Sequence, residues 1–198
     1  IAWHQLRYIR SMYVLQTRHF SGDLNQPFVA PPGPPNVTGQ VTFDFGASEG
    51  IDAEMMLRQG LKVVAVEGNP TALSHFKNRL EKQKGCGLRG AAGKLKMIHA
   101  ATGGISVPAM AHFEVDAHHA EKSNVFDPEH DTPLVDAVMI EVPRKSCGFL
   151  YRQFIGQQQA ALYAKIDLEG ADLDCLGSLL HNATGNGVTP QLPLFLSF

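Results

Sequence analysis

From residue 41 onward the chain alternates short apolar runs with stretches whose apolar residues recur every three or four positions. Val41 to Phe45, Val63 to Glu67 and Leu162 to Leu168 are short and apolar enough to be strands buried in a parallel sheet. Between the first two, Ile51 to Gln59 has helical length and is followed by Gly60, a residue type suited to the left-handed position after a helix. Beyond Glu67, Asn69 is placed to cap a second helix and Pro70 to open it, with Leu73, Phe76 and Leu80 on one face. Strand and helix units joined by such short turns predict parallel strands with right-handed crossovers.

The pattern continues with a third strand over Lys94 to Ala101. Thr102 to Pro133 is polar and rich in turn formers, which predicts a hairpin or a long excursion around Ile105 to Val115. Val135 to Val142 reads as a strand and Cys147 to Ile155 as a short helix. Asp172 to His181 reads as a helix with Leu173, Leu176, Leu179 and Leu180 inward, and Leu192 to Phe198 as a last strand. Pro31-Pro32-Gly33-Pro34-Pro35 can continue neither helix nor central strand, so residues 1–40 are expected to be an arm and linker and residues 41–198 one domain.

Composition narrows the function classes. The chain has 198 residues, with 17 Lys and Arg against 19 Asp and Glu, and carries no long block of like charge. Neither nucleic acid nor an anionic membrane is an expected partner. No apolar run approaches the ~20 residues of a membrane span. The chain opens on Ile1 rather than Met and shows no secretory signal, so a cytoplasmic protein is expected, with targeting by upstream sequence left open. Cys86, Cys147 and Cys175 lack a Cys-x-x-Cys spacing and are expected to be reduced structural thiols. His112, His118, His119 and His130, among Asp116, Asp127, Glu129 and Asp131, match no ligand pattern, so a solvated loop is expected and no metal.

Candidate chemistry gathers at strand ends, where ligands bind in open parallel sheets. Asp44 with the Gly46 to Gly50 loop, Glu67 with Asn69, and Asp167 with Glu169 all fall there. The glycine loop allows close approach of a ligand to the start of a helix. Asp44 beside it would repel a phosphate and suit an ammonium group. Gly46-x-x-x-Gly50 also fails the Gly-x-Gly-x-x-Gly dinucleotide pattern. Glu67, ending the second strand, is placed to accept hydrogen bonds from both hydroxyls of a ribose.

These residues resemble a known family. Val41 to Pro70 looks like the cofactor half of class I S-adenosylmethionine-dependent methyltransferases. Lys165-Ile166-Asp167-Leu168-Glu169-Gly170-Ala171-Asp172 is similar to the Lys-Ile-Asp-x-Glu-Gly-x-Glu signature of the FkbM type. The resemblance implies an α/β, Rossmann-like, doubly wound and mostly parallel sheet, here ending before the family's last two strands. It also implies S-adenosylmethionine as cofactor, with Asp44, Gly46, Ala47, Ser48 and Gly50 at its methionine moiety. Glu67 and Gly68 would lie at the ribose, Asn69 at its edge, and Ala100 and Ala101 near the adenine. Ser48, Gly68 and Asp172 depart from the residues usual in the family.

The expected activity is methylation of a hydroxyl on a small molecule or glycan. Asp167 and Glu169 are the candidate bases, and Lys165 is placed to orient a carboxylate. An NAD-dependent oxidoreductase and a non-catalytic S-adenosylmethionine-binding remnant are the alternatives.

Overall fold

The computed structural model describes residues 39–82, 93–105, 109–116, 123–126, 131, 136–155, 161–184, 192–193 and 195–197. The amino-terminal arm, Cys86, His118, His119, His130, Asp127 and Glu129 lie outside the described residues.

Strand β1 (Val41–Phe45), β2 (Lys62–Glu67), β3 (Leu95–His99), β8 (Tyr163–Ile166) and β9 (Phe195–Ser197) form a five-stranded, wholly parallel sheet in the order β3-β2-β1-β8-β9. The chain builds outward from β1 to β3, then returns to β8 on the other side of β1. The strand order therefore reverses between β1 and β8, and this Rossmann-like arrangement opens a crevice beyond their carboxyl ends. Central β2 is buried from Val63 through Glu67, whereas β3 at the edge is only partly buried, as expected of a strand covered on both faces against one at a margin.

The two faces of β1 divide the molecule. Phe43 and Phe45 point into a core with Val64, Val66, Ala164 and Ile166, closed by α3 (Cys147–Phe154) and α4 (Asp172–Thr184). Thr42 and Asp44 alternate to the other face, as strand geometry requires. There α1 (Ile51–Arg58) buries Ala53, Met56 and Leu57, and α2 (Pro70–Lys82) buries Ala72, Leu73 and Phe76. Gly60, at φ +84°, ends the first helix, and the Asn69 side chain caps the second by accepting from Thr71 N and Ala72 N at 2.8 and 3.3 Å.

The expected third strand breaks at Ala100. Its amide donates to the carbonyl of Glu67, where β2 ends, so the chain beyond it has no partner in the main sheet. Ala101–Gly103 (β4) instead pairs in parallel with Arg144–Ser146 at the end of β7 (Ala137–Ser146). Met110–Asp116 (β5) pairs antiparallel with β7 and with β6 (Asn124–Val125), giving a second sheet in the order β4-β7-β5-β6. Strand β7 runs past the expected end at Val142 because Pro143, which lacks a donor, sits where the strand changes partner from β5 to β4.

Two expectations about the carboxyl-terminal half need correction. Leu173 is 77% exposed and Leu180 is also exposed, while Cys175, Ser178 and Leu179 form the buried face of α4. Cys147 and Cys175 are not free thiols: they are joined in a disulfide, with Cα atoms 5.2 Å apart, that ties the start of α3 to α4. Ser178 reinforces the link by donating to the Cys175 carbonyl and accepting from Gly148 N.

The crosslink spans 28 residues, and a loop of that size stabilises a chain by about 3–4 kcal/mol through the unfolded state. Replacing both Cys147 and Cys175 with serine is expected to lower the unfolding free energy by that amount in denaturant titration. Equal midpoints for the two proteins would show that the link contributes nothing.

Candidate functional site

A cavity of about 120 Å³ opens at the switch point between β1 and β8. Its walls include Gly46 and Ser48 from the turn after β1, Glu67 and Gly68 after β2, Ala101 and Thr102 on β4, Phe113 on β5, and Lys165, Asp167 and Glu169 at the end of β8. Thus Gly46, Ser48, Glu67, Gly68, Ala101, Asp167 and Glu169 converge, as the sequence pattern suggested. Asp44, Ala47, Gly50 and Asn69 are not among the lining residues.

The glycines near the cavity are required by the protein's own packing. At Gly46, with φ +80°, a Cβ would fall 1.8 Å from the carbonyl oxygen of Asp167. At Gly50, with φ +73°, it would meet the Phe76 ring at 2.4 Å. At Gly68 it would meet the Phe113 ring at 2.6 Å. The amides of the loop are engaged as well. Gly46 N and Ala47 N donate to Val66 O at 2.9 and 3.0 Å, Gly50 N donates to Ala47 O at 2.7 Å, and Ser48 N donates to Glu67 Oε2 at 2.7 Å. A pyrophosphate cradle needs such donors free.

Glu67 clamps this loop to the next. Its Oε1 accepts from Asn69 N at 2.7 Å while Oε2 holds Ser48, so each oxygen keeps further acceptor capacity facing the cavity. Burial pushes its carboxyl above the usual range, against the pull of the Asn69, Ser48 and Gly68 backbone N–H groups and of His99. Asn69 is buried, and besides capping α2 it donates from Nδ2 to Ser123 Oγ at 3.1 Å. Ser123 also accepts from Asp116 N at 3.3 Å and lines the cavity, so Asn69 acts on the site through the small sheet.

Asp44 does not guard the mouth of the cavity. Its carboxylate is fully buried under the first turn of α1, and neither oxygen has a hydrogen-bond partner. Lys165, opposite Asp44 in the β1 and β8 register, brings its Nζ to 3.9 Å from Asp44 Oδ1. Burial raises the Asp44 pKa to about 7. Lys165 pulls against that rise, Asp52 and Glu67 add to it, and the Ala53 N–H opposes it weakly, short of hydrogen-bond geometry. Burial would lower the pKa of Lys165, but Asp44, Asp52 and Asp167 together hold the ammonium well above its ordinary value.

Asp167 and Glu169 reach the cavity by different routes. The amide of Asp167 donates to Phe45 O at 3.0 Å and prolongs the strand by one residue. Glu169 then turns into the left-handed region at φ +48°, so the two carboxylates are not related by simple strand alternation. Asp172 ties this turn by accepting from Leu168 N at 3.1 Å and Gly170 N at 3.3 Å. Ser48, also at φ +48°, lies on the opposite wall, so two of the three non-glycine residues with positive φ among the described residues line the cavity. Backbone strain of this kind gathers at functional sites.

Sequence reading missed the walls supplied by Thr102, Phe113 and Val125. Phe113 had one signal, the small residue at Gly68 against which its ring packs. His112 is exposed on β5. Among the described residues no group of three or more His, Cys, Asp or Glu is placed to hold a metal, and no helix is long and apolar enough to cross a membrane.

The raised pKa of Asp44 carries a sign. The unfolded chain releases this proton near pH 4, whereas the folded chain keeps it until about pH 7. Between those limits the folded state binds more protons, so the contribution of Asp44 to stability falls as pH rises, by a total of order 4 kcal/mol. Relative to Asp44→Asn, the unsubstituted protein is therefore expected to lose stability between pH 4 and pH 7 and to hold a constant difference above it. Parallel stability curves for the two proteins would contradict this.

No protein-family model and no curated protein matches the sequence. Among solved structures, the chain is similar to the methyltransferase FkbM from Methylobacillus flagellatus KT, at 15% identity and a TM-score of 0.45, covering 78% of this chain and 32% of that one. It is also similar to a SAM-dependent methyltransferase from Thiobacillus denitrificans in complex with S-adenosyl-L-homocysteine, at 13% identity and a TM-score of 0.33, covering 89% of this chain and 47% of that one. The chain thus spans about a third and about a half of the lengths of these two proteins.

Proposed function

We propose that this chain carries the cofactor and catalytic elements of an S-adenosylmethionine-dependent methyltransferase acting on a hydroxyl of a small molecule or glycan. The observation that carries the reading is the meeting of Glu67, at the end of β2, with Asp167 and Glu169, beyond β8, around one cavity at the switch point of a parallel sheet. In such sheets ligands bind at that place, and an acidic residue ending the second strand suits a ribose.

The engaged amides of the Gly46 to Gly50 loop favour a nucleoside without phosphates over NAD. This replaces the argument from Asp44, whose charge is shut away from the cavity. Glu67 has acceptor capacity left for ribose hydroxyls on both oxygens. Phe113 and the Ala100 to Thr102 segment supply one mainly apolar part of the lining, which suits a flat heteroaromatic base. Lys165 balances Asp167 in the lining, and the acidic side chains of Glu67 and Glu169 favour a ligand bearing positive charge.

When bound, the sulfonium supplies a methyl group whose carbon–sulfur bond breaks, with its electron pair going to sulfur, as an acceptor oxygen bonds to the carbon. The role of this chain is to hold the acceptor in line and to take its proton. Asp167 is the better placed base. Its side chain is 58% exposed at the cavity, which leaves an acceptor room to reach it, and the Lys165 ammonium 3.1 Å away balances the carboxylate. Glu169 on the adjoining turn is placed to receive a second hydroxyl of the acceptor.

Titration calorimetry with S-adenosylmethionine, S-adenosylhomocysteine and NAD is expected to show binding of the first two alone. NAD binding with neither adenosyl compound retained would overturn the reading in favour of an oxidoreductase. Glu67→Ala is expected to weaken S-adenosylhomocysteine by about 1–3 kcal/mol, the consequence of removing hydrogen bonds to a buried partner. With radiolabelled methyl donor and a cell extract, Asp167→Asn is expected to slow labelling by about 10²-fold while leaving cofactor affinity intact. Equal labelling rates would remove Asp167 from the chemistry.

A further inference from the structure

The Lys165 ammonium stands among three carboxylates carried by three different parts of the fold. Asp52 Oδ2, on the first turn of α1, is 2.9 Å away. Asp167 Oδ2, just beyond β8, is 3.1 Å away, and Asp44 Oδ1 on β1 is 3.9 Å away. Lys165 and Asp167 line the cavity, whereas Asp52 and Asp44 are not among its lining residues. We propose that Asp52 is a positioning residue that acts through Lys165 to hold the Asp167 carboxylate in place at the cavity. This rests on the reading of Asp167 as the acceptor base.

The contacts of Lys165 differ in how well they can order it. A lysine side chain has several rotatable bonds and much rotamer freedom to lose. A pair in which one partner is 58% exposed belongs with surface ion pairs, which are weak. Lys165 and Asp167 alone would therefore leave both side chains mobile. Asp52 changes this because it approaches Lys165 from a helix whose position is fixed by the packing of Ala53, Met56 and Leu57. Buried Asp44 faces the ammonium as well, but from beyond hydrogen-bond distance. With one donor directed to Asp52, the ammonium can present another to Asp167 in a fixed direction.

A neighbouring acid has a different engagement. Glu54, also in the first turn of α1, pairs with Arg58 and Arg79 at 2.8 and 3.2 Å. Asp52 is thus the first-turn carboxylate directed to the site. Had its role been only to complement the helix dipole, an acid near the amino terminus would serve in any orientation toward solvent. The Tyr163 hydroxyl, hydrogen-bonded to Ser197 on β9, completes the polar face behind Lys165.

The test reads the order of Asp167 directly and needs no acceptor. Carbon relaxation of the Asp167 methylene is assigned from the signal missing in Asp167→Asn, then measured in the unsubstituted protein, Asp52→Asn and Asp52→Glu. Asp52→Asn is expected to lose roughly a third of the order of that group, and Asp52→Glu, which keeps a carboxylate within reach of Lys165, to restore most of it. At saturating cofactor, Asp52→Asn is expected to slow methyl labelling of an extract about tenfold, with S-adenosylhomocysteine affinity within about twofold. Unchanged Asp167 order in Asp52→Asn overturns the proposal, as does failure of Asp52→Glu to recover the order in a folded protein. An unsubstituted chain that takes up no S-adenosylhomocysteine counts against the methyl-transfer reading instead, and the relaxation result still decides the ordering of Asp167.

Discussion

The parallel pairing of β1 with β8 sets a carboxylate and an ammonium side by side on one face of the sheet, Asp44 against Lys165. Asp44 is fully buried and has no hydrogen-bond partner, a costly arrangement for a charge. It persists because Lys165 stands near enough to offset part of the penalty, and because α1 closes over both. The same ammonium reaches Asp167 at the cavity. One cation thereby links the buried floor of the sheet to the cavity at its edge. Removing Lys165 would take from buried Asp44 its nearby cation, whereas removing Asp44 would leave Lys165 still paired with Asp52 and Asp167.

The regular parts of this architecture were legible because local and long-range preferences agree. Val41–Phe45 and Lys62–Glu67 are short runs buried on both faces, and both are interior strands of the sheet. Asn69 and Pro70 signalled the start of α2 through cap chemistry that the side-chain hydrogen bonds display directly. The elements misjudged are those decided by partners remote in sequence. The Lys94 to Ala101 run divides because β2 stops offering hydrogen bonds at Glu67. The inward face of α4 is decided by the covalent link at Cys175 rather than by the spacing of its leucines. Cysteine spacing could not disclose that link, since its two ends meet only when α3 and α4 pack on the same face of the sheet.

The site shows the same division. Glu67, Asp167 and Glu169 could be placed from sequence because Glu67 ends β2 and the other two closely follow β8, and strand ends in a parallel sheet converge. The depth of Asp44 could not. Alternation puts it on the opposite face from Phe43 and Phe45, but only the descent of α1 onto that face, directed by the left-handed Gly50, shuts it away from the cavity. Phe113 was out of reach for a related reason. It comes from the small antiparallel sheet, whose placement depends on β4 leaving the main sheet and on the Asn69 contact with Ser123.

Gly46 has a mechanical consequence. Because it has no side chain, the carbonyl of Asp167 nests against its α-carbon, and the amide of Asp167 is bound in turn to Phe45. The turn leaving β1 and the segment leaving β8 are wedged together like two teeth of a gear. A ligand that shifted the first would drag the second along, so the two sides of the crevice cannot adapt to their guests separately. Ligand preference in such a protein would more readily change through the small sheet, which touches the crevice from outside this locked pair.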